Sequence, residues 1–107
     1  MPATITVIWW RDIPAQVVAK DGRRTSKIVL HHRFQVAIDR AAVKSDRRDM
    51  NAYIAEWRRE QRRCSDDLET EARQEADRLE GQYTKDVLNG LVATGGADPA
   101  RTTEDPS

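Results

Sequence analysis

Cysteine is nearly absent from this chain, with one residue, Cys64, in 107. A single thiol closes no internal disulfide, which excludes a disulfide-stapled scaffold and fits a reducing compartment. Long apolar runs are missing as well. The longest, Ile8 to Trp10 with Ile5 and Val7 just before it, falls far short of the roughly 20 residues that cross a bilayer. No lysine or arginine precedes that run, so it does not read as a secretory signal, and the cytoplasm is the expected location. Only six residues are aromatic and 38% are hydrophobic, which leaves a thin core for one domain under a large polar surface. An excess of one charge is also absent: 18 basic residues face 18 acidic ones, which argues against a simple polycation that holds nucleic acid by bulk charge.

The charges that are present are sorted along the chain. Residues 1–63 carry 14 basic and 7 acidic side chains, a surplus of seven positive, and residues 64–107 carry 4 and 11, a surplus of seven negative. The apolar pattern is sorted too. Residues 4–10 are β-branched or aromatic and alternate before becoming apolar on both faces at Ile8, Trp9 and Trp10, which predicts a strand. Arg11 to Pro14 reads as a turn and Ala15 to Lys20 as a second strand. Asp21-Gly22 is a hairpin signal, and Thr25 to Leu30 is the run that pairs across it.

From about His32 the period changes to that of a helix, with Phe34, Ala37, Ile38, Ala41 and Ala42 on one stripe. Ser45 to Asp49 offers helix caps, and Met50, Tyr53, Ile54, Trp57 and Cys64 predict a further helix reaching Arg63. Ser65-Asp66-Asp67 caps again. Leu68, Ala72, Ala76, Leu79, Tyr83, Val87 and Leu91 then predict one long amphipathic helix, or two broken near Gly81. That narrow, alanine-rich stripe fits either a helical hairpin or the seam of a homodimer. From Thr94 no large apolar side chain remains, so residues 94–107 are expected to be a disordered tail after a domain of residues 1–93. The fold expected is α+β: a three-stranded antiparallel sheet covered on one face by three or four helices.

Each chemically suggestive group has a plainer reading beside it. His31 and His32 are adjacent and diverge, with no H-x-x-x-H or C-x-x-C spacing anywhere, so no metal and no cofactor are expected. Cys64 follows Arg62 and Arg63, which would lower a thiol pKa, yet nothing places a base beside it, and it reads as a small apolar residue. Asp66, Asp67, Glu69 and Glu71 could hold a cation, but acids in a first helical turn complement the helix dipole. Arg58, Arg59, Arg62 and Arg63, with Arg47 and Arg48 before them, are candidates for phosphate or a partner's carboxylates. Glu56 and Glu60 interleave with them and offer internal pairing instead. On a strand Trp9 and Trp10 point to opposite faces, so with helices on one side only one of them is expected in the core; the other would be either an interaction anchor beside Arg11 or a local cap over the hairpin.

The runs Ile5-Thr6-Val7-Ile8-Trp9-Trp10-Arg11-Asp12-Ile13-Pro14-Ala15-Gln16-Val17, Arg33 to Ala42 and Ala52 to Arg59 resemble the small bacterial "virulence factor" domain family over roughly residues 4–92. The Trp-Arg-Asp-Ile-Pro-Ala-Gln segment is the most specific part. Lys44 to Arg48 stands where members usually have a glycine-containing loop, and His31 stands where many have proline. The resemblance defines no reaction and transfers no catalytic residue. It implies a non-enzymatic accessory or protein-interaction domain of a bacterial cytoplasmic system, beside folate and corrinoid methyl-transfer enzymes, with an unidentified protein partner. If the shared motif is functional, Arg11, Asp12 and Gln16, at a strand-to-strand turn, are its natural contact residues; the plainer reading, of equal weight for Arg11 and Asp12, is that Asp12 caps the turn, Arg11 pairs with a helix acid and Pro14 sets the backbone. The alternative is a nucleic-acid-binding regulator that uses the arginine-rich helices.

Overall fold

The computed structural model describes residues 3–45 and 50–97. The chain begins with three antiparallel strands, β1 (Thr4–Trp10), β2 (Ile13–Asp21) and β3 (Arg24–Val29), followed by helix α1 (His32–Lys44) and a short helix α2 (Met50–Ala55). A fourth strand β4 (Trp57–Arg63) comes next, and helices α3 (Leu68–Gln82) and α4 (Lys85–Ala93) complete the fold. The sheet order is β3-β2-β1-β4. The α+β architecture and the meander agree with the sequence reading, but the sheet has four strands where three were expected.

The fourth strand replaces the second half of the helix predicted to end at Arg63. Arginine, glutamate and glutamine favour helix locally by only a few tenths of a kcal/mol per residue. Against that stands β1, whose outer edge would otherwise expose the unpaired backbone of a seven-residue strand. β4 satisfies that edge in unbroken antiparallel register from Thr4↔Arg63 to Trp10↔Trp57, and the Cys64 amide continues the ladder to the Ala3 carbonyl.

Register divides the sheet into two unlike faces. Ile5, Val7 and Trp9 of β1 share a face with Val17 and Ala19 of β2, and all five are buried. α3 lies over β2 and β3 on that side, α1 lies over β2, and α4 packs on α1. The predicted α1 stripe is buried as read. Glu80 ties the start of α1 to the end of α3, since its carboxylate accepts from the His31 amide and its carbonyl from Arg33.

The long helical stretch is two helices. α3 ends at Gln82, and Thr84 caps α4 by accepting from the Val87 amide. This restart shifts the buried face by one position, so that Leu88 is buried where the periodicity pointed to Val87. Gly22, at φ +60°, opens the two-residue β2–β3 turn that Asp21-Gly22 signalled. The fold also runs past Ala93. Gly95 and Gly96 are buried, and the Gly96 carbonyl accepts from the Asp12 amide at 2.9 Å. Thr94 to Ala97 therefore belong to the packed unit, and the rest of the expected tail lies outside the described residues.

Candidate functional site

The Trp-Arg-Asp motif folds into an internal knot. Arg11 sits at φ +54°, a conformation that costs a non-glycine residue on the order of 1–3 kcal/mol unless its surroundings hold it. Here the Arg11 amide donates to the Glu56 carbonyl at 3.0 Å, its guanidinium donates to the Gly95 carbonyl at 2.9 Å, and its Nε lies 3.6 Å from the Glu56 carboxylate. Arg58 closes the knot by donating to the Arg11 carbonyl and pairing with Asp12 at 3.2 Å. Arg11 and Asp12 thus bind the β1–β2 turn to β4 and to the residues after α4. Gln16, half-buried like the other two, lies on the sheet face turned away from α1 and α3.

The expectation that only one of Trp9 and Trp10 would be core is corrected, because both are buried. Trp9 is on the helix side, edge-on to Tyr83 and under the Arg58 guanidinium. Trp10 is on the opposite face, roofed by two elements from elsewhere in the chain. Its Nε1 donates to the Tyr53 carbonyl of α2 at 2.9 Å, and Gly96 lies against its ring.

The strand β4 separates the candidate arginines by parity. On a helix Arg58, Arg59, Arg62 and Arg63 would form one cationic patch; on a strand alternate residues face opposite ways. Arg58 and Arg62 point to the helix side, where Arg58 meets Asp12 and Glu60 and Arg62 meets Glu75 of α3 at 3.1 Å. Arg59 and Arg63 point to the other face, and no ion pair between described residues engages either. Arg47 and Arg48 lie outside the described residues.

The remaining candidates are built into the scaffold. His31 caps α1 by accepting from the Arg33 amide, and His32 is exposed on its first turn. Among the described residues no group of three or more potential ligands is placed to hold a metal ion. Burial, followed by the charge of Glu71, pushes the Cys64 thiol up despite Arg62, the reverse of the activation that the neighbouring arginines suggested. Asp67 caps α3, and Glu71 accepts from the Ser65 amide, which holds its carboxyl below the usual range. Asp66 and Glu69 are exposed.

Glu75 is the one buried carboxylate among the described residues. Burial pushes its pKa up, but hydrogen bonds from Arg78 and Arg62 outweigh that and leave it lowered. A carboxyl held lower in the folded than in the unfolded chain contributes stability above its unfolded pKa and loses it as pH falls through the folded value. Acid titration of the wild type should therefore show a loss of stability beginning near the ordinary glutamate range of about 4.3 and deepening below it. Glu75→Gln should flatten that part of the profile in pH-resolved thermal melts, and an unchanged profile would refute the assignment.

Two surfaces escaped the sequence reading. One is a groove between α1 and α4, opening to a hollow of about 580 Å³ lined by Asp39, Arg40, Val43, Lys44, Val92 and Ala93. It continues past Val36 and Leu88 toward His31 and His32. The other is the sheet face opposite α1 and α3, where Lys20 and Lys27 join Arg59 and Arg63. The signal for it was available in β2, where Lys20, Val18 and Gln16 alternate with the buried Ala19 and Val17.

An antiparallel sheet with its helical layer on one face, an open groove within that layer and a strand-to-strand motif engaged in internal bonds define a small α+β domain. The virulence factor family model matches residues 8–92, and the chain belongs to that family. No curated protein and no solved structure matches it.

Proposed function

We propose that this domain is a non-enzymatic accessory module that docks on a larger bacterial protein through the groove between α1 and α4. The observation that carries this reading is the groove itself. Val36 and Val43 are exposed along it, Val43 at 58%, beside the apolar Leu88, Val92 and Ala93. Among the described residues its rim bears Arg40, Lys44 and Lys85 against one acid, Asp39. An apolar floor between two helices accepts the apolar stripe of a third, and a cationic rim selects a helix flanked by acids. The occupant is therefore an amphipathic, acid-flanked helix of the partner.

The folate- and corrinoid-dependent methyl-transfer enzymes suggested by the family resemblance are the first partners to test. Purified enzymes of that class, titrated with the wild-type chain, should give a saturable one-to-one complex. Val43→Glu should weaken the complex at least tenfold while the thermal melt stays put, since Val43 is exposed. Binding that Val43→Glu leaves intact would overturn the groove assignment, and so would a wild-type chain that sediments as a dimer through this surface.

A further inference from the structure

On the sheet face turned away from α1 and α3, beyond the part roofed by α2, we infer a binding surface for single-stranded nucleic acid, independent of the α1–α4 groove. Four cations occupy this face: Lys20 of β2, Lys27 of β3, and Arg59 and Arg63 of β4. All four are exposed, and no ion pair between described residues engages any of them. No carboxylate shares their face in the register from Thr25 to Val29 on β3, Gln16 to Lys20 on β2, Thr4 to Ile8 on β1 and Trp57 to Arg63 on β4. The nearest acids along these strands, Glu60 and Asp21, fall on the other parity, where they pair with Arg58 and Arg24. The zero net charge of the chain thus conceals a face on which the described strand residues carry four positive charges and none negative.

The arrangement favours a single strand. Arg59 and Arg63 form one bank on β4, and Lys20 and Lys27 form the other on β2 and β3. Between the banks lie Thr4, Thr6 and Ile8 of β1 and Val18 of β2, all half-buried and uncharged. Neighbouring strands are about 4.8 Å apart, so the banks stand roughly 10–14 Å from each other across the sheet. That width passes one phosphate backbone between two cationic rims, and only a single strand leaves its bases free to reach the uncharged floor between them. At the end of the channel Ile8, Gln16, Trp57 and Arg59 line a hollow of about 310 Å³, offering an apolar and aromatic wall to an unstacked base. The threonines and Gln16 supply hydrogen-bonding groups that discriminate little between bases.

The test is fluorescence anisotropy with a labelled oligothymidylate about 12 nucleotides long, using the full chain. Four phosphate contacts on a single strand give a slope of about −2.8 in log affinity against log salt, so affinity should fall about fifty-fold between about 50 and 200 mM salt. Arg59→Gln should make the slope shallower by about 0.7. Replacing Lys20, Lys27, Arg59 and Arg63 together with glutamine should abolish measurable binding. All four side chains are exposed, so the melting temperature should hold, and Arg73→Gln on α3 serves as a charge-matched control that leaves binding unchanged. The inference is overturned if the wild type fails to bind at about 50 mM salt, or if Arg59→Gln and Arg73→Gln behave alike. It is also overturned if duplex DNA binds as tightly as the single strand, or if polyglutamate displaces the oligonucleotide at equal charge, which would identify an acidic polypeptide as the ligand. Because Val43 lies on the helical side, Val43→Glu should leave the anisotropy titration unchanged. Failure of this surface and failure of the groove are thereby read separately.

Discussion

Trp10→Ala is expected to destabilise the domain by about 3–5 kcal/mol, the cost of deleting a fully buried aromatic side chain. Trp10 is completely inaccessible and is the joint where three distant segments meet. Its ring packs on Tyr53 with centroids 5.6 Å apart, its Nε1 donates to the Tyr53 carbonyl, and its six-membered ring lies against Gly96. Total stabilities of domains this size are on the order of 5–15 kcal/mol, so the variant should unfold at a much lower urea midpoint. Trp10→Phe separates packing from hydrogen bonding. It keeps most of the apolar contact but leaves the Tyr53 carbonyl without its donor, for an expected loss of about 1–3 kcal/mol. A Trp10→Ala midpoint indistinguishable from wild type would mean that α2 and the residues after α4 do not roof this ring.

Gly95→Ala should be the most damaging glycine substitution. Gly95 adopts φ +71°, and a Cβ there would stand 2.8 Å from the Ser45 Cβ, which cannot move without its own backbone. Left-handed strain and forced overlap each cost on the order of 1–3 kcal/mol, giving an expected loss of about 2–6 kcal/mol. Gly81 and Gly90 provide the opposite sign. Both sit in helices with open space around the added methyl, so alanine at either should stabilise by about 0.5–1 kcal/mol. Melting curves of the three variants check the pattern. A neutral Gly95→Ala would show that the segment after α4 is not held against α1 and the β1–β2 turn.

What was legible in the residues was whatever local periodicity and caps control. The β1–β2–β3 meander, its Asp21-Gly22 turn, the α1 stripe from Phe34 to Ala42 and the Asp67 cap of α3 all follow from spacing within one element. Family membership was legible in the same way, from the segment Ile5 to Val17. The strand at Trp57 to Arg63 was not, because its local signal of arginine, glutamate and glutamine is helical, and the edge it completes lies some fifty residues earlier in the chain. The site inherited that error. Read as a helix, Arg58, Arg59, Arg62 and Arg63 form a single patch; as a strand they divide into two internal ion-pairing residues and two that face outward.

By itself the sequence determined the α+β class, the elements of the first 44 residues, the sorted charge and the virulence factor family, since each depends on residues close together in the chain. Only the tertiary structure decided that β1 is central, that both Trp9 and Trp10 are core, that Arg11 and Asp12 hold the fold together, and that Lys20 and Lys27 stand across the sheet from Arg59 and Arg63. The physical reason is that backbone ladders and burial are satisfied between segments. An unpaired strand edge and two large indole rings require partners whose position along the chain no local pattern records.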